Sequence, residues 1–267
     1  MLYAKIRGLS IAYVKAGSGP ALVLLHGGLN CNSKVWEPQI KALSNNFTIV
    51  AWDAPGTGKS QDTPEDFNLD EWADCLAGLF DTIGINQAHI LGLSWGGLLA
   101  QVFYDRYPTY VISLILCDTY TGWKGSLTDS AFNARMKAAL ADASLPPNEI
   151  ALKYLPSMFS DTAPTKLNEE LLNILSSDFH PNGFRAMVKT LAIDTRELLP
   201  KIKVPTLLLW GESDKRSTMN VAKQFHSSIN GSRLEIITGA GHVSNMENPE
   251  AFNKVVKNFC LSVTIQK

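Results

Sequence analysis

Cysteine is scarce in this chain and charge nearly cancels; both absences narrow what the protein does. The four cysteines among 267 residues, Cys31, Cys75, Cys117 and Cys260, lie far apart and form no Cys-x-x-Cys pair. That excludes a disulfide framework and a cysteine-built metal centre. The 24 Lys and Arg residues against 25 Asp and Glu leave a formal net charge of -1, so nothing electrostatic points to nucleic acid or an anionic membrane as partner. No apolar run is long enough to span a bilayer, and no basic segment followed by an apolar one opens the chain. The expected location is therefore the cytoplasm. Also missing are a Pro/Gly/Ser-rich linker, internal repeats and low-complexity tracts. With 45% hydrophobic and 18% charged residues, the composition is that of a globular protein with one large core.

What is present is concentrated in one run, Ala88-His89-Ile90-Leu91-Gly92-Leu93-Ser94-Trp95-Gly96-Gly97. An apolar, strand-like stretch leads into Gly-x-Ser-x-Gly, and a helix-like segment follows. This is the pattern of a nucleophile elbow, which lifts a serine hydroxyl above a sheet at a helix N-terminus.

Around it, near-continuous apolar runs at 21–25, 47–52, 89–93, 111–117, 206–210 and 234–237 read as strands, the inner ones buried on both faces. Two further strands are expected at 2–7 and 9–15. Helical patterns at 36–43, 69–83, 98–107, 219–229 and 251–258 alternate with them. The alternation predicts a mostly parallel sheet flanked by helices, with its chemistry at the carboxyl ends of the strands. It breaks over residues 122–201, where helices are expected at 131–143, 148–158, 166–177 and 183–193 and no strand is evident. The expected organisation is a core of residues 1–121 and 202–267 with a helical cap at 122–201. Apolar side chains of that cap, among them Trp123, Tyr154 and Met158, are candidates to line a substrate pocket.

A serine needs a base to take its proton and an acid to orient that base. The base candidate is His242 in Gly239-Ala240-Gly241-His242, just past the last strand. His26, His89, His180 and His226 have weaker claims. The acid candidate is Asp214, on the turn after an apolar strand, where it would hold the His242 tautomer. Glu212 on the same turn and Asp118 at another strand end remain alternatives. Oxyanion donors are expected from the backbone N–H of Trp95 and from Gly28 in the loop His26-Gly27-Gly28-Leu29. The stretch from Asp53 to Ser60 contains Gly-Lys-Ser but has aspartate where a phosphate-binding loop needs its first glycine. It reads as a structural turn.

With serine, acid, histidine and the His-Gly-Gly loop in this order, the chain resembles the α/β-hydrolase superfamily over nearly its whole length. Residues 53–60 match that superfamily's Asp-x-x-Gly-x-Gly-x-Ser turn. Within it the resemblance is nearest to 3-oxoadipate enol-lactonases and related small esterases, through residues 92–97, 114–119, 180–184 and 202–206. One departure is Trp95, where enol-lactonase-like chains usually carry methionine. Tryptophan there also resembles proline iminopeptidases, yet their His-Gly-Gly-Pro-Gly is here His26-Gly27-Gly28-Leu29-Asn30. Haloalkane dehalogenases and epoxide hydrolases are similar in fold but use aspartate in place of Ser94.

The resemblance implies an α/β-hydrolase fold and hydrolysis of a carboxylic ester or lactone, a small-molecule substrate, without cofactor or metal. Ser94 would attack the carbonyl, His242 would shuttle the proton and Asp214 would orient it. Three other expectations stand beside this one: carbon–carbon hydrolysis of a ring-cleavage product, acyl-homoserine lactone hydrolysis, and a small-molecule sensor that keeps the triad. A pocket that binds acids would favour the carbon–carbon reaction, with Arg185 as a candidate anion partner.

Overall fold

The apolar runs assemble into one eight-stranded sheet in the computed structural model, which describes residues 1–263. Its strands are β1 (Leu2–Ile6), β2 (Leu9–Ala16), β3 (Ala21–Leu25), β4 (Thr48–Trp52), β5 (Ala88–Leu93), β6 (Val111–Cys117), β7 (Thr206–Gly211) and β8 (Arg233–Ile237). Their spatial order is β1-β2-β4-β3-β5-β6-β7-β8. Strand β2 pairs antiparallel with β1 and β4, and every pair from β4 to β8 is parallel. Every residue of β5 and β7 is buried. The period of two splits β3 between two cores: Val23 and Leu25 join one with Trp72, Phe103 and Trp210, while Leu22 and Leu24 join the other with Trp36 and Phe252.

Helices cover both faces. They are α1 (Glu37–Leu43), α2 (Leu69–Ile83), α3 (Trp95–Arg106), α4 (Gly122–Ser126), α5 (Asp129–Asp142), α6 (Pro147–Tyr154), α7 (Thr165–Ser176), α8 (Pro181–Thr190), α9 (Met219–Ser228), α10 (Ser244–Glu247) and α11 (Pro249–Ser262). Helix α2 begins at a capping box in which Asn68 and Glu71 satisfy each other's backbone N–H groups. It ends at Gly84, whose φ of 73° is the left-handed stop that glycine adopts without strain.

Helices α4 to α8 fill the stretch between β6 and β7. They are tied back to the sheet's carboxyl edge: Asn30 Nδ2 donates to the carbonyls of Leu175 and Ser177, and Val243 N–H donates to Met158 O. Three local differences from the sequence reading have simple causes. Helix α3 starts at Trp95, not at residue 98, because Ser94 itself is its cap and the two glycines lie inside the first turn. Helix α6 stops at Tyr154, not at residue 158, because Pro156 cannot supply the next helical donor and residues 155–157 tighten to a 3-10 turn. Helices α4 and α10 span five and four residues, too short to leave a periodic pattern.

Candidate active site

Ser94 sits between β5 and α3 with φ 54° and ψ -116°, a strained conformation for any residue with a side chain. Glycine makes the turn possible: a Cβ on Gly92 would lie 2.3 Å from Gly96 O, and one on Gly96 would lie 2.2 Å from Leu25 O. The strain is held by hydrogen bonds on both sides. Ser94 N–H donates to Cys117 O at 2.8 Å, and Thr119 Oγ1 donates to Ser94 O at 2.6 Å.

His242 reaches the same point from the loop between β8 and α10. Its Nε2 lies 3.0 Å from Ser94 Oγ and its Nδ1 lies 2.8 Å from Asp214 Oδ2. Asp214 is fixed through its other oxygen, which accepts the backbone N–H groups of Arg216 and Ser217 at 2.7 and 2.9 Å. With Nδ1 donating to Asp214, Nε2 is left to accept the serine proton. All three groups are buried. Such an arrangement can raise the nucleophilicity of a serine and pass its proton to a leaving group.

The two other acids have different partners. Glu212 is exposed and its Oε2 accepts Gly239 N–H. Asp118 is fully buried and accepts from Gly211 N–H, Ser244 Oγ and Cys117 Sγ. Burial, reinforced by nearby Asp214, pushes its carboxyl well above the usual carboxylate range.

Gly28 and Trp95 face each other beside Ser94: a Cβ built on Gly28 would touch Trp95 Cβ at 3.4 Å. Among the described residues, the backbone N–H groups of Gly28, Leu29 and Trp95 have no hydrogen-bond acceptor. His26, by contrast, is a brace for the loop: its Nε2 accepts Ala54 N–H at 3.0 Å and its Nδ1 meets Gly27 O at 2.7 Å. Asp53 ties the turn at 53–60 by accepting the N–H groups of Ser33 and Lys59.

The cleft over Ser94 has mostly apolar walls, including Leu29, Val35, Leu171, Leu175, Met187 and Val188. Trp123 and Met158, two of the sequence candidates, are among its walls. Tyr154 is not among the wall residues: its hydroxyl donates to Asp142 of α5 at 2.7 Å, and its ring lies under the Arg216 guanidinium, 5.6 Å from the ring centre. Arg185 is also elsewhere, paired with Glu65 and Asn182 on the outside.

Sequence reasoning missed three groups. The Tyr120 hydroxyl lies 3.0 Å from Ser94 Oγ and 3.4 Å from His242 Nε2. Arg216 lines the cleft, and its Nε is buried without a hydrogen-bond partner. Arg135 lies over the Trp123 ring at 5.3 Å with a buried, unpartnered Nη1. Tyr120 follows the carboxyl end of β6 and Arg216 that of β7, so the rule that chemistry gathers at strand ends was the available signal. Arg135 left none.

Burial raises the thiols of Cys31 and Cys260 to about 12 and that of Cys75 to about 11, which keeps them protonated and unreactive. Among the described residues no group of three or more His, Cys, Asp or Glu side chains is placed to hold a metal ion. No helix among them is long and apolar enough to cross a membrane.

An elbow serine, a histidine after the last strand and a mostly parallel sheet define an α/β hydrolase. A family model described as the alpha/beta hydrolase fold matches residues 20–249, and the protein belongs to that family. Among its relatives, 3-oxoadipate enol-lactonase 1 of Acinetobacter baylyi is 27% identical over 96% of this chain and 94% of its own length. A 2-hydroxy-6-oxononadienedioate/2-hydroxy-6-oxononatrienedioate hydrolase of Burkholderia vietnamiensis is 30% identical over 94% of this chain and 91% of its own. In structure the chain is similar to a thermophilic esterase from Thermogutta terrifontis, with a TM-score of 0.91 and 27% identity over 99% of this chain and 100% of that one.

Proposed function

We propose that this enzyme hydrolyses a carboxylic ester or lactone through an acyl-enzyme on Ser94. The observation that carries the reading is the unbroken line of contacts from Ser94 Oγ to His242 Nε2 at 3.0 Å and from His242 Nδ1 to Asp214 at 2.8 Å. Ser94 attacks the carbonyl carbon as His242 takes its proton, and the carbonyl oxygen becomes an oxyanion held by the N–H groups of Gly28 and Trp95. Collapse expels the alcohol, which takes the proton from His242. Water, deprotonated by the same imidazole, then releases the acid. In this scheme residues 122–201 act as the cap that shapes the cleft, and no step draws on a cofactor.

The substrate is a small molecule with an apolar body and, on this reading, a carboxylate. Arg216 lines the cleft and donates through Nη1 to Ser157 Oγ at 2.8 Å, while its Nε is buried without an acceptor, a state that costs about 1–3 kcal/mol until something fills it. A carboxylate fits a guanidinium fork better than any neutral acceptor. The same arginine favours a second reading, carbon–carbon hydrolysis of an acidic ring-cleavage product, the reaction class that the Burkholderia vietnamiensis relative's name suggests.

The test is acid release in a pH-stat by wild type and Ser94→Ala on esters, lactones and acyl-homoserine lactones, each offered with and without a free carboxylate. Turnover that falls by at least about 10³-fold in the variant supports serine hydrolysis. A preference for the acidic members that disappears in Arg216→Met supports the anion site. Turnover of a vinylogous diketone with none on any ester favours the second reading. No turnover on either class rejects both and leaves a sensor.

A further inference from the structure

Among the described residues, Tyr120 is the one polar side chain in the cleft that touches two reacting atoms and is not part of the scheme above. Its hydroxyl forms a triangle with Ser94 Oγ, 3.0 Å away, and His242 Nε2, 3.4 Å away, whose own separation is 3.0 Å. The phenol ring lies nearly parallel to the imidazole, with centroids 6.1 Å apart and planes 27° apart. The residue is buried, and among the described residues its hydroxyl meets no other side chain.

The surrounding backbone holds it there. Tyr120 O accepts Gln101 Nε2 at 2.9 Å, and Gln101 also donates to Gly97 O and accepts the Thr195 hydroxyl. The preceding residue is clamped on both sides, since Thr119 Oγ1 donates to Ser94 O and Thr119 O accepts from the Ser217 hydroxyl. Tyr120 is thus tied to the nucleophile helix α3 through Gln101, and through Thr119 to the loop that carries Asp214. A hydroxyl fixed on both sides is preorganised in the sense that matters for catalysis.

Resting on the serine-hydrolase reading, we infer that Tyr120 is a catalytic residue that stabilises the leaving-group oxygen. In the tetrahedral intermediate the alcohol oxygen is bonded to the same carbon as Ser94 Oγ and must reach His242 Nε2 to collect its proton. Both reference atoms are the two that the Tyr120 hydroxyl already approaches. As the carbon–oxygen bond breaks, its electron pair moves onto the leaving oxygen. The proton that Ser94 gave to His242 moves from Nε2 to that oxygen, and the alcohol departs neutral. The Tyr120 O–H donates a hydrogen bond to the developing alkoxide and keeps its own proton throughout. In the resting enzyme the hydroxyl turns to Ser94 Oγ, which has lone pairs to spare while its hydrogen points to His242.

The inference makes a demand that a packing role does not. Help to a leaving oxygen matters when the alcohol is a poor leaving group and hardly at all when it is a good one. The experiment compares Tyr120→Phe with wild type on two esters of the same acid, one of ethanol and one of p-nitrophenol. Phenylalanine keeps the stack on His242, and a thermal melt checks that the fold is unchanged. Expected is a fall in kcat/KM of about 10- to 100-fold for the ethyl ester, the effect of one hydrogen bond to a charged oxygen, and no more than about 3-fold for the p-nitrophenyl ester. Equal falls on both esters, or no fall on either, overturn the assignment. Tyr120→Leu, which removes ring and hydroxyl together, should lower both rates but keep the wider gap for the ethyl ester. If Ser94→Ala cleaves the p-nitrophenyl ester as fast as wild type, the serine-hydrolase reading fails and the Tyr120 assignment goes with it, whereas equal falls in Tyr120→Phe with Ser94→Ala inactive reject the Tyr120 assignment alone.

Discussion

Thr119 Oγ1 donates a 2.6 Å hydrogen bond to the carbonyl of Ser94, so the second residue after β6 fastens the strained residue after β5. Both are buried, and the next turn is packed so tightly that a Cβ on Gly97 would meet Thr119 Oγ1 at 2.5 Å. Thr119→Val keeps the shape of the side chain and deletes the donor. It should cost about 1 kcal/mol or slightly more, seen as a fall of about 2–4 °C in Tm. On the proposed mechanism, kcat should fall further than this stability loss suggests, because the elbow turn is released next to Ser94. Unchanged Tm and kcat would show the bond to be incidental.

The buried Asp118 carboxyl predicts an alkaline loss of stability. The unfolded chain gives up this proton in the ordinary aspartate range, about 3.9. The folded chain, where burial pushes the group well above that range, holds the proton longer. Stability therefore falls as pH rises from the ordinary value toward the folded one. Asp118→Asn stays neutral and keeps an oxygen for Gly211 N–H and an amide for Ser244 Oγ. Melts of wild type and variant from about pH 5 to about pH 8 should diverge, with the variant gaining at the higher pH. Parallel curves would mean that the carboxyl ionises normally.

His89 predicts the opposite on the acid side. It is buried at the start of β5, with Nδ1 2.7 Å from Ser113 Oγ and its ring edge-on to Phe47. Burial lowers its pKa from 6.5 to about 4. The unfolded histidine takes a proton near 6.5 that the folded one refuses until about 4, so stability is lost as pH falls through that window. The loss is roughly 3 kcal/mol for this one group. In urea titrations at several pH values, His89→Gln should remove that share of the decline. His26, also lowered by burial, leaves a remainder in both proteins. A variant that declines as steeply as wild type would contradict the assignment.

How far the sequence could be read depended on whether a feature is local. The sequence reading located all eight strands to within a residue or so at each end, most securely the inner ones such as β5 and β7, whose residues are all buried, because a strand buried on both faces leaves no alternative pattern. Ser94 and His242 stand out because their glycine neighbours answer to backbone geometry. The choice among Asp214, Glu212 and Asp118 was not local. Three acids follow strand ends, and only tertiary packing commits Asp118 to Gly211 and Ser244 and Glu212 to Gly239. Tyr154 shows the same limit in reverse, an aromatic of the helical stretch whose hydroxyl finds Asp142. Tyr120 and Arg216 follow strand ends too, but side-chain direction after a strand is set by whatever the next loop packs against.

Asn30 joins the loop that carries Gly28 to the end of α7. Its φ of 63° is left-handed, and its amide donates to the carbonyls of Leu175 and Ser177, both at 2.8 Å. Two effects can be separated by substitution. Asn30→Gly accepts the backbone angle but deletes both bonds. Asn30→Asp also tolerates the angle, yet sets an acceptor-only carboxylate against two carbonyl oxygens. If the amide tie holds the loop in register with the cleft, the glycine variant should lose kcat, with KM moving less, and should be cut faster by protease between α7 and α8. The aspartate variant should be worse on both counts, because repulsion and an unsatisfied buried charge are added to the lost bonds. Equal behaviour of the two variants would assign the effect to the lost amide alone, and wild-type behaviour in both would show that the loop keeps its shape without α7.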